Sequence, residues 1–109
     1  MPPDWVNAIW ESLFAPPPRR ALFRRRMRLS RQVVTWLRDP VRTDAERWAF
    51  ADLLLRLDSD PFTHSSAILT PGTPPGIRWA LLERWHIVIK FDPVEDRVTI
   101  ISINPATAG

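Results

Sequence analysis

The order of hydrophobic and polar positions predicts helices in the first half of the chain. In residues 4–14 apolar side chains recur at helical spacing, which predicts a short amphipathic helix before three consecutive prolines at 16–18. Residues 21–29 alternate apolar and arginine side chains, as in a strand, although some of the apolar spacing also fits a helix. Ser30 then has the position of an N-cap for a short helix that ends before Pro40.

The clearest local signal is a capping box at Thr43-Asp44-Ala45-Glu46. Apolar residues follow at the spacing of one helical face, so we expect a helix from about 44 to 58, ending at Asp60-Pro61. Residues 61–76 are rich in proline, glycine and threonine, which predicts a loop around one short extended piece at 67–70.

The last third of the chain has the two-residue period of strands. Residues 77–82 and 85–91 alternate, residues 92–96 resemble a turn, and 97–103 are β-branched and apolar on both faces, as in a central strand. The pattern predicts an α+β fold with a curved antiparallel sheet of about four strands and helices on one face. We expect residues 1–18 to form an extra N-terminal helix with a proline connector, and 19–109 to form the core.

Composition narrows the possible chemistry. The 109 residues fit one domain, and the absence of cysteine excludes disulfides, thiolate zinc sites and cysteine catalysis. The absence of tyrosine removes a common general acid or base. No run of 18 apolar residues and no secretory leader is evident, so we expect a cytoplasmic protein that does not contact membranes.

Positive charge is concentrated in one block. Seven of the 15 basic residues fall within 13 positions that contain no acid, which leaves eight bases against 12 acids elsewhere: Arg19, Arg20, Arg24, Arg25, Arg26, Arg28 and Arg31. Such a block favours an anionic partner, either nucleic acid or an acidic protein surface, and a plain solvated face remains the alternative. We take Arg24, Arg26, Arg28 and Arg31 as the candidate nucleic-acid-binding residues.

Two segments resemble the RelE/ParE/HigB superfamily of small toxins from type II toxin–antitoxin modules. The first runs from Met27-Arg28-Leu29-Ser30 to Trp36-Leu37 and is similar to a strand that leads into a helix with a Trp-Leu pair. The second runs from Gly76-Ile77-Arg78-Trp79 to Phe91-Asp92-Pro93, followed by Arg97-Val98-Thr99, and is similar to the terminal hairpin of the family. The resemblance covers residues 22–103 and rests on the order and spacing of these segments.

The resemblance implies a function and a site. Members that cleave messenger RNA on the ribosome use attack of a 2′-hydroxyl on the adjacent phosphate, and a cognate antitoxin protein neutralises them. Arg78 matches the strand arginine of the family and is the first candidate for phosphate contact. Arg84, His86 and Lys90 complete the expected catalytic group, with His86 as base because imidazole exchanges protons near neutral pH. Glu83 is a second candidate base, and neither a cofactor nor a metal is expected.

The end of the chain departs from the family. Ribonuclease members usually carry a tyrosine or a basic group at the end of the last strand, where this sequence has residues 102–109 without acid, base or cation. The alternative is therefore a non-nuclease protein on the same fold, which acts as a gyrase inhibitor or as a protein-interaction module. A third interpretation is an unrelated α+β adaptor whose exposed tryptophans bind a partner helix.

Overall fold

A computed structural model describes residues 23–106 of the chain, and these form a five-stranded sheet with two helices. In chain order the elements are β1 (Arg26–Leu29), α1 (Arg31–Arg38), α2 (Asp44–Ser59), β2 (Ser66–Ala67), β3 (Ile77–Leu82), β4 (Trp85–Asp92) and β5 (Arg97–Pro105). The helix expected at 4–14 and the proline connector at 16–18 lie outside the described residues. The division of the chain at residue 18 therefore stays a prediction.

The sheet is mixed. Its strand order is β1-β5-β4-β3-β2, and the pairs β2–β3, β3–β4 and β4–β5 are antiparallel. β1 instead runs parallel to β5, with Met27 opposite Val98 and Leu29 opposite Ile100. The expected all-antiparallel sheet of about four strands is corrected on this point, because a parallel pair needs a long crossover and α1, α2 and the middle strands supply it.

Local capping signals fix where both helices begin. The Ser30 hydroxyl accepts a hydrogen bond from the Val33 amide at 3.3 Å and starts α1. Thr43 and Glu46 form the reciprocal capping box of α2, each side chain accepting from the other residue's amide at 3.1 Å. The predicted helix at about 44 to 58 is confirmed, since these bonds satisfy amides that a helix leaves free at its first turn.

The two helices cover one face of the sheet, as the pattern predicts. The fully buried side chains of α1 and α2 include Val33, Phe50 and Leu54, and they meet Ile87 of β4 and other alternate strand residues in one core. We call the opposite side the open face. The strand pairing places these residues on it: Arg26, Arg28, Ile77, Trp79, Leu81, His86, Val88, Lys90, Thr99, Ser102 and Asn104.

β1 is shorter than the strand expected at 21–29. Phe23 is buried and Arg24 is exposed, in agreement with the predicted alternation. The amides of Arg24 and Arg25, however, donate to the carboxylate of Asp58 at 3.0 and 2.7 Å rather than to a neighbouring strand. Regular pairing therefore begins only at Arg26.

Candidate nucleic-acid interface

Two cations that have no ion-pair partner among residues 23–106 share one row of the open face. Arg28 of β1 lies opposite Thr99, and Thr99 lies opposite Lys90 of β4. Two strand spacings, about 10 Å, separate the backbones of Arg28 and Lys90, so a ligand above Thr99 would lie within reach of both long side chains. Both are exposed, and neither forms an ion pair with any residue in the range 23–106. This row offers phosphate groups a positive charge that the described fold does not neutralise.

The other predicted arginines differ in how free their charge is. Arg26 is exposed but pairs with Glu95 at 3.3 Å, and Arg97 approaches the same carboxylate at 3.7 Å. Arg24 lies exposed before β1, and Arg31 lies exposed in the first turn of α1. The structure therefore places Arg26 and Arg28 on the open face, whereas Arg24 precedes β1 and Arg31 belongs to α1.

His86 lies on the open face against an aromatic ring. Its imidazole stacks on the indole of Trp79, with centroids 5.6 Å apart and planes at 22°. Its cross-strand partner on β5 is Asn104. His86 and Lys90 share the face, but four residues of extended strand separate them by about 13 Å.

Arg78 lies on the helix side of the sheet. Its Nε donates to the Ser65 hydroxyl at 2.6 Å, and its Nη2 donates to the carbonyls of Ser65 and Phe62 at 2.8 and 3.3 Å. Its guanidinium also lies 5.1 Å from the centroid of the Phe62 ring. These contacts fasten the turn after α2 to β3, and phosphate contact by Arg78 stays a prediction.

Arg84 lies in the turn between β3 and β4 and points to the helix side. Its guanidinium lies 5.2 Å from the Trp85 ring, and its Nη2 is 3.9 Å from a carboxylate oxygen of Glu46. The interpretation that Arg78, Arg84, His86 and Lys90 lie on one working face is therefore wrong. The register of β3 and β4 places Arg78 opposite the buried Ile89, whereas Lys90 lies opposite Ile77 on the open face. Catalytic roles for the four residues stay predictions.

On the helix side the structure contains a buried cluster around the Arg42 guanidinium, which the sequence analysis did not predict. The guanidinium of Arg42 lies between the rings of Trp36 and Trp85, 4.1 and 4.6 Å from their centroids, and donates to Glu46 at 3.1 Å. Hydrogen bonds from the Thr43 backbone, the Trp85 indole and Arg42 outweigh burial and lower the pKa of Glu46 to about 2. The capping box pointed to Glu46, but no local signal pointed to Arg42 or Trp85.

Tryptophan exposure argues against the adaptor interpretation for the described part of the chain. Trp36 and Trp85 are buried, and Trp48 and Trp79 are half-buried. None of these four indoles offers an exposed docking ring.

The last strand ends without a charged side chain. The Gln32 side-chain amide donates to the Ile103 carbonyl at 2.7 Å and accepts from the Ile103 amide at 2.8 Å. α1 thereby binds the part of β5 that extends beyond its pairing with β1. The open-face residues of this segment are Ser102 and Asn104. The geometry therefore adds neither a general acid nor a cation beside His86 from the end of β5.

Residues 23–106 were also searched for metal-binding groups and membrane-spanning helices. They contain no group of three or more histidine, cysteine, aspartate or glutamate residues that would hold a metal ion. Neither of the helices within that range has the length and apolarity needed to cross a membrane.

Comparison with solved structures identifies the fold. A chain of the archaeal RelE–RelB complex from Pyrococcus horikoshii matches with a TM-score of 0.63 at 15% identity, covering 78% of this chain and 98% of that chain. The RelBE2 toxin–antitoxin complex from Mycobacterium tuberculosis matches with a TM-score of 0.58 at 17% identity, covering 74% and 96%. Neither a protein-family model nor a curated protein matches the sequence. The sequence-based fold class is confirmed: the chain has a RelE-like α+β fold.

Proposed function

We propose that this chain is the toxin of a type II toxin–antitoxin module and that it cleaves messenger RNA on the ribosome. The observation that carries the proposal is the row formed by Arg28 and Lys90 on the open face of a RelE-like fold. Both similar structures are complexes of RelE with RelB or of a toxin with its antitoxin, which supports a cognate antitoxin as partner. In this proposal the protein acts in the cytoplasm, where the ribosome and its messenger RNA are the targets.

The residues of the open face have distinct tasks in this proposal. Arg28 and Lys90 hold backbone phosphates, since cations near a phosphoryl group offset its developing charge. His86 accepts the proton of a 2′-hydroxyl, whose oxygen attacks the adjacent phosphorus. The bond from phosphorus to the 5′-oxygen breaks, water protonates that oxygen, and the products are a 2′,3′-cyclic phosphate and a 5′-hydroxyl.

A second candidate is a non-nuclease protein on the same fold that acts by binding, either as a gyrase inhibitor or as a protein-interaction module. The separation of the four predicted catalytic residues favours it, because Arg78 and Arg84 lie on the helix side and Asn104 is the neighbour of His86 on β5. In that case the open-face cations bind carboxylates instead of phosphates.

Induction of the protein in cells, followed by mapping of messenger RNA 5′ ends, tests the first function. We expect growth arrest with new 5′ ends inside coding sequences, and loss of both in a His86→Gln variant. His64→Gln is the matched control, since His64 lies in the loop after α2. Growth arrest with intact messenger RNA would replace the nuclease by the second candidate, and unaffected growth would refute the toxin assignment.

A further inference from the structure

A cleft of about 420 Å³ opens at the end of the sheet where β3 begins and β4 ends. Phe62 and Phe91 form an apolar wall, their rings meeting edge to face with centroids 5.2 Å apart. Phe62 is 59% exposed in the turn after α2, whereas Phe91 is buried, so the Phe62 ring is the part of this wall that faces solvent. An exposed ring beside a formed cleft is typical of a binding surface.

The cleft is held in shape before any ligand arrives. Gly76 has a φ of +85°, and a Cβ there would lie 2.5 Å from the carbonyl oxygen of Phe91, so the two strands approach closely. The Asp60 carboxylate accepts the Phe62 amide at 3.1 Å, while Arg78 donates to the Phe62 carbonyl. A site fixed in this way loses little conformational freedom on binding.

The charge around the cleft is positive. Arg78 and Lys90 line it together with Asp92. The hydrogen bonds of Arg78 go to hydroxyl and carbonyl oxygens, and no carboxylate in the described range pairs with either cation. Asp92 accepts the amides of Val94 and Glu95 at 3.0 and 3.3 Å, which occupies one of its oxygens in the hairpin turn. An apolar side chain next to a carboxylate complements this lining.

We infer that the cleft binds one large apolar side chain beside a carboxylate, carried by an acidic segment of a partner protein. The inference rests on the proposed function only for the identity of that partner, the cognate antitoxin. Lys90 belongs both to the cleft and to the row with Arg28 on the open face. A segment in the cleft therefore places its negative charge where RNA phosphates would bind, and the two ligands compete for Lys90.

Three small probes separate the two parts of the inference without an identified partner. N-acetyltryptophan carries a ring and a carboxylate, N-acetyltryptophanamide carries the ring alone, and N-acetylglycine carries the carboxylate alone. In titrations followed by amide NMR, we expect saturable shifts at Gly76 and Phe91 for the first probe. Its binding should be about threefold tighter than that of the amide, the usual range for one exposed charge pair.

Variants of exposed residues give the controls. Phe62→Ala and Lys90→Gln should each weaken N-acetyltryptophan about threefold. Leu69→Ala, which changes an 89% exposed residue outside the cleft, and Arg28→Gln should leave it unchanged. Equal binding of acid and amide, or no saturable shift at Gly76 and Phe91, would overturn the inference. If Arg28→Gln loses RNA binding but binds the probe as the wild type does, the RNA site and the cleft are separate. A failure of the proposed RNA function would then leave the inference about the cleft standing.

Discussion

Asp58 and Arg25 hold each other through two hydrogen bonds. The Arg25 amide donates to the Asp58 carboxylate at 2.7 Å, and the Arg25 Nε donates to the Asp58 carbonyl at 2.8 Å. Asp58 is a buried carboxylate in the last turn of α2. The end of α2 thereby fixes where the arginine-rich segment enters the sheet.

Removing this carboxylate should destabilise the protein. Asp58→Ala leaves the amides of Arg24 and Arg25 without their acceptor, so we expect the free energy of unfolding to fall by about 3 kcal/mol in urea denaturation. Asp52→Ala is the matched control, because Asp52 forms only an exposed pair with Arg56 and should cost less than about 1 kcal/mol. Equal losses in the two variants would contradict the anchoring role of Asp58.

Protonation of the Glu46 carboxylate at low pH should lower the free energy of unfolding. Its pKa is about 2 in the folded protein against an ordinary 4.5, so the unfolded chain binds the proton first as pH falls. The stabilisation is complete above pH 4.5 and declines as pH falls towards 2. We expect the difference in unfolding free energy between the wild type and Glu46→Gln to shrink over that range, as measured by urea denaturation at several pH values. A difference that stays constant with pH would refute the assignment.

Arg78 should contribute more to the stability of the fold than to RNA affinity. Arg78→Gln removes the bonds to Ser65 and Phe62, so we expect a loss of about 2 kcal/mol and faster amide exchange in the turn after α2. The RNA affinity of the folded variant should fall less than that of Lys90→Gln. If Arg78→Gln instead weakens RNA binding more and leaves the exchange rates unchanged, Arg78 is a phosphate contact.

The elements that the sequence predicts well are those with local signals. The capping box at Thr43 and Glu46 fixes the start of α2 to the residue, because both partners lie within one turn. The parallel pairing of β1 with β5 joins segments about 70 residues apart, and no short-range pattern encodes it.

The same distinction applies to the site. The alternation of arginine with apolar residues predicted that Arg28 is exposed on a strand, and the structure agrees on its placement, while its contact with RNA stays a prediction. β3 is apolar on both sides, so its pattern did not show that Arg78 faces the helices. The contacts of Asp58 and Arg42 depend on tertiary packing and were not predictable.

The salt dependence of RNA binding tests the open face most directly. A labelled poly(U) strand is titrated by fluorescence anisotropy at several salt concentrations with the wild type, with Arg28→Gln/Lys90→Gln, and with Arg56→Gln as a control on the exposed side of α2. Each lost phosphate contact should lower the slope of log affinity against log salt by about 0.7, so the double variant should lose about 1.4. The account predicts this loss with an unchanged slope in the control, and a double variant with the wild-type slope would contradict it.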